Sequence, residues 1–184
     1  GVVGERIVYE LRGISCLEIQ EVEQKKNIMT SRSFGRKITT KDEMKEAMAN
    51  YVVRACQKLN GQKSRVQGIH VFIQTNPFSL SEKQYNKGIT RTFISPTNST
   101  KAIMNSALSI IDEIFVEGLN YKKAGIMLLD LVGEGSFQGS LFDSDTPKQD
   151  ERNIEIEKAM DKINIISGKG SVFYASQGIK RNWA

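Results

Sequence analysis

The chain has 184 residues, 39% hydrophobic and 26% charged, with a net charge of +5. That length supports one good core, no apolar run is long enough to cross a bilayer, and the first residues do not read as a signal peptide. With one histidine, His70, no His-based catalytic triad can be assembled. Two cysteines, Cys16 and Cys56, stand at no metal-binding spacing and read as buried thiols of a cytoplasmic protein, and Asp143-Ser144-Asp145 reads as a solvated turn rather than a metal pair.

The charge is unevenly spread. Residues 1–24 hold two basic and five acidic residues, residues 25–111 fifteen and four, and residues 112–184 nine and twelve. The middle therefore carries +11 between flanks of −3 each. A concentrated cationic module of this kind points to a polyanionic partner, most often nucleic acid.

In chain order, Ile7, Val8 and Leu11 repeat at helical spacing before Gly13, and a polar, acidic run follows to Lys26. A domain that starts in mid-helix reads as a fragment. Residues 27–36 read as a strand within a basic stretch, Lys25 to Lys41, that holds six cations and no acid. Thr40-Lys41-Asp42-Glu43 is a capping box, and Met44, Ala47, Met48, Tyr51, Val52, Ala55 and Leu59 line one face of the helix behind it, up to Asn60-Gly61. Val66–Thr75 and Ile89–Ile94 read as strands. Asn98-Ser99-Thr100 can cap a helix over 100–117, and Gly118 ends it. Asp112, Glu113 and Glu117 read as its solvent-facing charge. Lys122–Val132 is a fourth strand, and its Ile126-Met127-Leu128-Leu129 run predicts burial on both faces. Residues 133–151 read as a linker, 152–167 as a helix, and 171–175 as a short strand.

The order is βαββαβ, an α+β fold. It predicts a four-stranded sheet with two helices on one face and the other face open, followed by a small helix-strand tail. The halves resemble each other. Ser31-Arg32-Ser33-Phe34 recurs as Thr90-Arg91-Thr92-Phe93, and Thr39-Thr40-Lys41 with Met44 recurs as Ser99-Thr100-Lys101 with Met104. The repeat would bring an Arg flanked by hydroxyls to the open face or its edge, where phosphate oxygens could be held. A solvated edge strand protected by charge is the competing reading.

The linker offers two motifs. Gly133, Gly135 and Gly139 read G-x-G-x-x-x-G, one residue off the dinucleotide-loop pattern, with no helix opening on it. Gln138-Gly139-Ser140-Leu141-Phe142 is sharper: two large apolar residues stand in a Gly, Ser and Asp setting. Either Leu141 and Phe142 fold back onto the domain, or they form an extended peptide that fills a partner's pocket, with Gln138 at its rim.

That peptide is similar to the Q-x-x-L-F signature that docks bacterial proteins on the replication sliding clamp. Ser31-Arg32-Ser33-Phe34-Gly35 resembles the first strand of the little finger of Y-family translesion DNA polymerases. Glu5-Arg6, Glu10-Leu11-Arg12-Gly13, Cys16-Leu17-Glu18, Thr75-Asn76-Pro77-Phe78, Lys123-Ala124-Gly125-Ile126-Met127-Leu128 and Gly168-Lys169-Gly170 look like the UmuC branch, the catalytic subunits of polymerase V. The resemblance implies residues 1–24 as the end of a thumb and linker, 25–132 as the little finger, 133–151 as the clamp-binding linker and 152–184 as a C-terminal segment. It further implies that the palm and its Mg site are missing, so that this stretch is not an enzyme and holds no cofactor, and that the end is truncated. Arg32, Ser33, Gly35 and Arg36 match positions that touch phosphate; Lys37, Arg91 and Thr92 join them from charge and the repeat. Gly139 departs from the signature, which usually has an apolar residue after Gln. Primer-template DNA, the sliding clamp, UmuD′-type subunits and the RecA filament are the implied partners, with no membrane. The rivals are a nucleotide-binding enzyme built on the Gly133 loop and an RNA-recognition-like single-strand binder. The second needs stacking aromatics on the central strands, and Ile89-Thr90-Arg91-Thr92-Phe93-Ile94 does not supply them.

Overall fold

The computed structural model describes residues 1–16, 25–133, 147–168, 170–179 and 183. Helix α1 (Val2–Leu11) precedes strand β1 (Ile28–Ile38), helix α2 (Lys41–Gly61), strands β2 (Ser64–Thr75) and β3 (Asn86–Thr97), helix α3 (Thr100–Ile114), strand β4 (Tyr121–Gly133) and helix α4 (Pro147–Ile166). The four strands form one antiparallel sheet in the order β1-β4-β2-β3, so β4 and β2 are central and β1 and β3 are the edges.

Alternation decides which side of each strand is buried. Ile28 and Phe34 of β1, Ile69, Val71 and Ile73 of β2, and Ala124, Ile126 and Leu128 of β4 share one core with the apolar stripes of α2 and α3. From the helices come Met44, Met48, Tyr51 and Leu59, and Ile103, Ile110 and Ile111, all essentially inaccessible. Each such Ile, Leu or Met contributes about 1.5–3 kcal/mol by leaving water. The βαββαβ order and the one-sided helix layer follow the expectation.

Several details differ. Thr40 caps α2 by accepting the Glu43 N–H at 3.4 Å, but the Glu43 carboxylate pairs with Arg36 and leaves the capping box half made. Lys63, and not Gly61, takes the left-handed position after α2 (φ 53°). Helix α3 stops at Ile114, short of Glu117, because Tyr85 Oη donates to the Ile114 carbonyl at 2.7 Å and Tyr121 Oη accepts the Val116 N–H at 2.9 Å. The Ile126–Leu129 run is fully buried on one face only: Ile126 and Leu128 face the helices, while Met127 and Leu129 are half-buried on the side that α2 and α3 leave uncovered. Cys56 is buried, but Cys16 only partly so.

The strand expected at 171–175 does not form. The Asn164 side chain of α4 takes both backbone groups of Val172, accepting its N–H at 3.0 Å and donating to its carbonyl at 2.9 Å. A 3₁₀ turn follows at Ala175–Gln177. With those groups used locally, Val172 has no backbone donor left for a strand partner. The segment packs on α2: Asn50 Nδ2 donates to the Gln177 carbonyl at 2.8 Å, and Trp183 Nε1 donates to Glu46 at 2.9 Å. Trp183 is buried edge-on against Phe34 and Tyr51, with ring centroids 6.3 and 6.0 Å away.

Candidate nucleic-acid interface

Together the four strands carry eight Lys and Arg and one acid, Asp130. On the uncovered face the register sets residues side by side in rows. Ser33, Lys123, Gln74 and Asn86 form one row, and Ser31, Gly125, Phe72 and Gly88 the next. Met127, His70 and Thr90 follow, with Met29 opposite Met127, and then Leu129, Gly68 and Thr92. The face therefore runs from polar and cationic at one end, through two rings, to apolar at the other.

The predicted phosphate contacts divide between this face and its edges. Ser33 lies opposite Lys123, and Thr92 opposite Gly68, both on the uncovered side. Arg32 and Arg91 fall in the opposite phase, with Phe34 and Phe93, so each Arg sits at a sheet edge on the helix side while its flanking hydroxyls face the open side. Arg32 is exposed and makes no ion pair among the described residues. Burial pushes the Tyr51 hydroxyl up to about 12, although the charges of Arg32 and Arg54 nearby pull it down. Gly35, Arg36 and Lys37 lie where the β1–β4 register breaks, between Ser33 and Ile38.

Acids meet several of these cations. Arg36 pairs with Glu43, and Lys37 lies 2.6 Å from Glu82. Hydrogen bonds from Lys37 and Asn120 hold the Glu82 carboxyl below its usual range. Arg91 pairs with Glu113 of α3 and donates to Ser109 Oγ at 2.9 Å. Asp112, expected as solvated charge, meets Lys45 at 2.7 Å and Lys41 at 3.7 Å, and the Lys45 hydrogen bond holds its carboxyl low.

Sequence reasoning missed the middle of the face. Strand β3, whose Ile89–Ile94 segment lacks stacking rings on its open side, is an edge; the central strand β2 carries His70 and Phe72. The Phe72 ring lies low over Gly125, where an added Cβ would come within 2.7 Å of it. His70 lies over Gly88 in the same way, at 2.8 Å, and its Nδ1 is 2.8 Å from Thr90 Oγ1. The rings are 6.2 Å apart and within 26° of parallel, and Lys123 Nζ stands 6.0 Å from the Phe72 centroid. The available signal was the phase of β2: if Ile69, Val71 and Ile73 point inward, His70 and Phe72 must point out.

Gln138, Leu141 and Phe142 lie outside the described residues, as does the glycine loop beyond Gly133. No described helix is long and apolar enough to cross a membrane.

Residues 25–141 match the impB/mucB/samB family C-terminal domain, and residues 155–184 match a domain of unknown function, DUF4113. The whole chain is 38% identical to Protein UmuC of Salmonella typhimurium, of which it covers 43%. It is 36% identical to Protein MucB of Escherichia coli, again over all of this chain and 43% of that protein. The chain thus spans less than half the length of the curated relatives it matches. Among solved structures, an insertion ternary complex of Dbh DNA polymerase aligns with 72% of this chain and 36% of that one, at a TM-score of 0.49 and 12% identity.

Proposed function

The chain belongs to the impB/mucB/samB family through its C-terminal domain, and from that premise we propose that it is the DNA-gripping portion of an error-prone translesion polymerase. It holds primer-template backbone through the cationic sheet and its edges, without reading base sequence. The observation that carries this is a four-stranded sheet with eight cations to one acid and a face that α2 and α3 do not cover. Arg32 and Lys123 meet phosphate first, because no acid competes for them among the described residues. Arg36, Lys37 and Arg91 contribute as they exchange an internal carboxylate for a phosphate. The polymerase chemistry and its Mg belong to the rest of such a protein. UmuD′-type subunits and RecA belong to the same proposal, with no residue here assigned to them.

In this reading Gln138, Leu141 and Phe142 tether the domain to a sliding clamp. Burying the Leu-Phe pair supplies roughly 3–5 kcal/mol before the linker is ordered.

Two titrations test the proposal. Arg32→Gln with Arg36→Gln should weaken binding equally on duplexes of unrelated sequence; unchanged affinity at low salt would remove the phosphate assignment. Leu141→Ala with Phe142→Ala should abolish capture by the clamp and leave DNA binding intact. Loss of both would mean that the linker supports the fold.

A further inference from the structure

Phosphate binding accounts for the cations of the sheet and leaves the rings at its centre unexplained. Phe72 is half-buried, yet it stands on the face opposite the core, on a central strand, with glycine on each neighbouring strand. Those glycines let the ring lie down on the sheet and turn its other side outward. The neighbouring row, Ser33, Lys123, Gln74 and Asn86, offers one cation, one hydroxyl and two amides and no acid. It is one two-residue step away along the strands, about 7 Å.

We propose that Phe72, flanked by His70, stacks one unpaired base of single-stranded DNA, and that Lys123 and Ser33 meet the adjoining phosphate. The inference rests on the reading that this sheet holds nucleic acid, and it adds a subsite for a base outside the duplex. A paired base shows only its edges in the grooves, whereas a flat ring needs the face of a base, which unpairing exposes. Lys123 now spends its charge on the ring in a cation–π contact. It lifts off to admit the base and moves to the phosphate at the rim. His70 is fixed by Thr90 and holds the second ring nearly parallel, which widens the platform.

A purely structural role is the competing account: an aromatic ring covering glycines on a neighbouring strand. Phe72→Leu separates the two, since it covers the same glycines and cannot stack. The 184-residue chain is titrated with a labelled oligo-dT strand, an abasic strand of equal length and a blunt duplex. Phe72→Leu should weaken oligo-dT roughly tenfold and leave the abasic strand and the duplex at wild-type affinity. Phe72→Tyr should bind all three as the wild type does, and melting curves check that both variants fold. If Phe72→Leu binds oligo-dT like the wild type, or weakens the abasic strand equally, there is no stacking site. Wild-type protein that binds the duplex and not oligo-dT would overturn this inference alone. Binding to neither at low salt would overturn the DNA-gripping proposal as well.

Discussion

The helix side and the uncovered side of the sheet are built from the same four strands, yet they treat charge differently. On the helix side, α2 and α3 supply acids to the strand cations they overhang: Glu43 to Arg36 and Glu113 to Arg91. On the uncovered side, Lys123 faces a ring, and its neighbours are Ser33 and Gln74. A count of cations therefore overstates the interface. What an anionic partner meets at once is the subset without an internal acid, and that subset depends on strand phase as much as on composition.

The largest expected effect breaks the helix side alone. Trp183→Ala removes a buried ring from Phe34 and Tyr51 and should cost about 3–5 kcal/mol, read as a lower denaturant midpoint. Affinity for DNA should survive where the protein is still folded; joint loss would show that the C-terminal segment builds the interface. Gly125→Val strikes the uncovered side. Its side chain would collide with Phe72 and Ser31, costing about 1–3 kcal/mol and tilting the ring off the sheet, so it should weaken oligo-dT more than duplex. Glu113→Gln frees Arg91 of its acid. Stability should move by less than about 1 kcal/mol, as for exposed ion pairs, while duplex affinity at low salt rises. No rise would mean that Arg91 serves only the fold.

The smallest effect is a pH dependence. Burial raises the Glu157 carboxyl, although it accepts the Thr100 N–H at 2.8 Å. The native state then holds that proton more tightly than the unfolded state, so its contribution to stability falls as pH rises above 4.5. Glu82 and Asp112 have the opposite sign: their contributions are present above the usual carboxylate range and are lost in acid. Glu157→Gln keeps an acceptor for Thr100 and should gain on the wild type as pH rises towards neutrality. Parallel stability curves would contradict that assignment.

Much of this was legible in the sequence because periodicity is local. The stripe from Met44 to Leu59, the cap at Thr40, the Asn98-Ser99-Thr100 cluster that holds the α3 cap, and the presence of β1 and β2 all read directly. Strand order was not legible, since hydrogen-bond partners lie far apart in the chain, and so the sequence does not show that β2, which carries the rings, is central and β3 an edge. The pairing of Arg91 with Glu113 needs a helix laid over a strand, which composition does not encode. The tail misled because Ser171-Val172-Phe173-Tyr174-Ala175 has strand propensity, while one side chain, Asn164, had already taken the backbone of Val172.

The most direct test is the salt dependence of duplex binding, compared between the wild type and Arg32→Gln with Lys123→Gln. If these uncompensated cations hold backbone phosphates, log affinity falls steeply with log salt, and the double substitution makes the slope shallower by about 1.8, near 0.9 for each phosphate no longer neutralised. A flat wild-type slope, or one that the substitutions leave unchanged, would contradict the account.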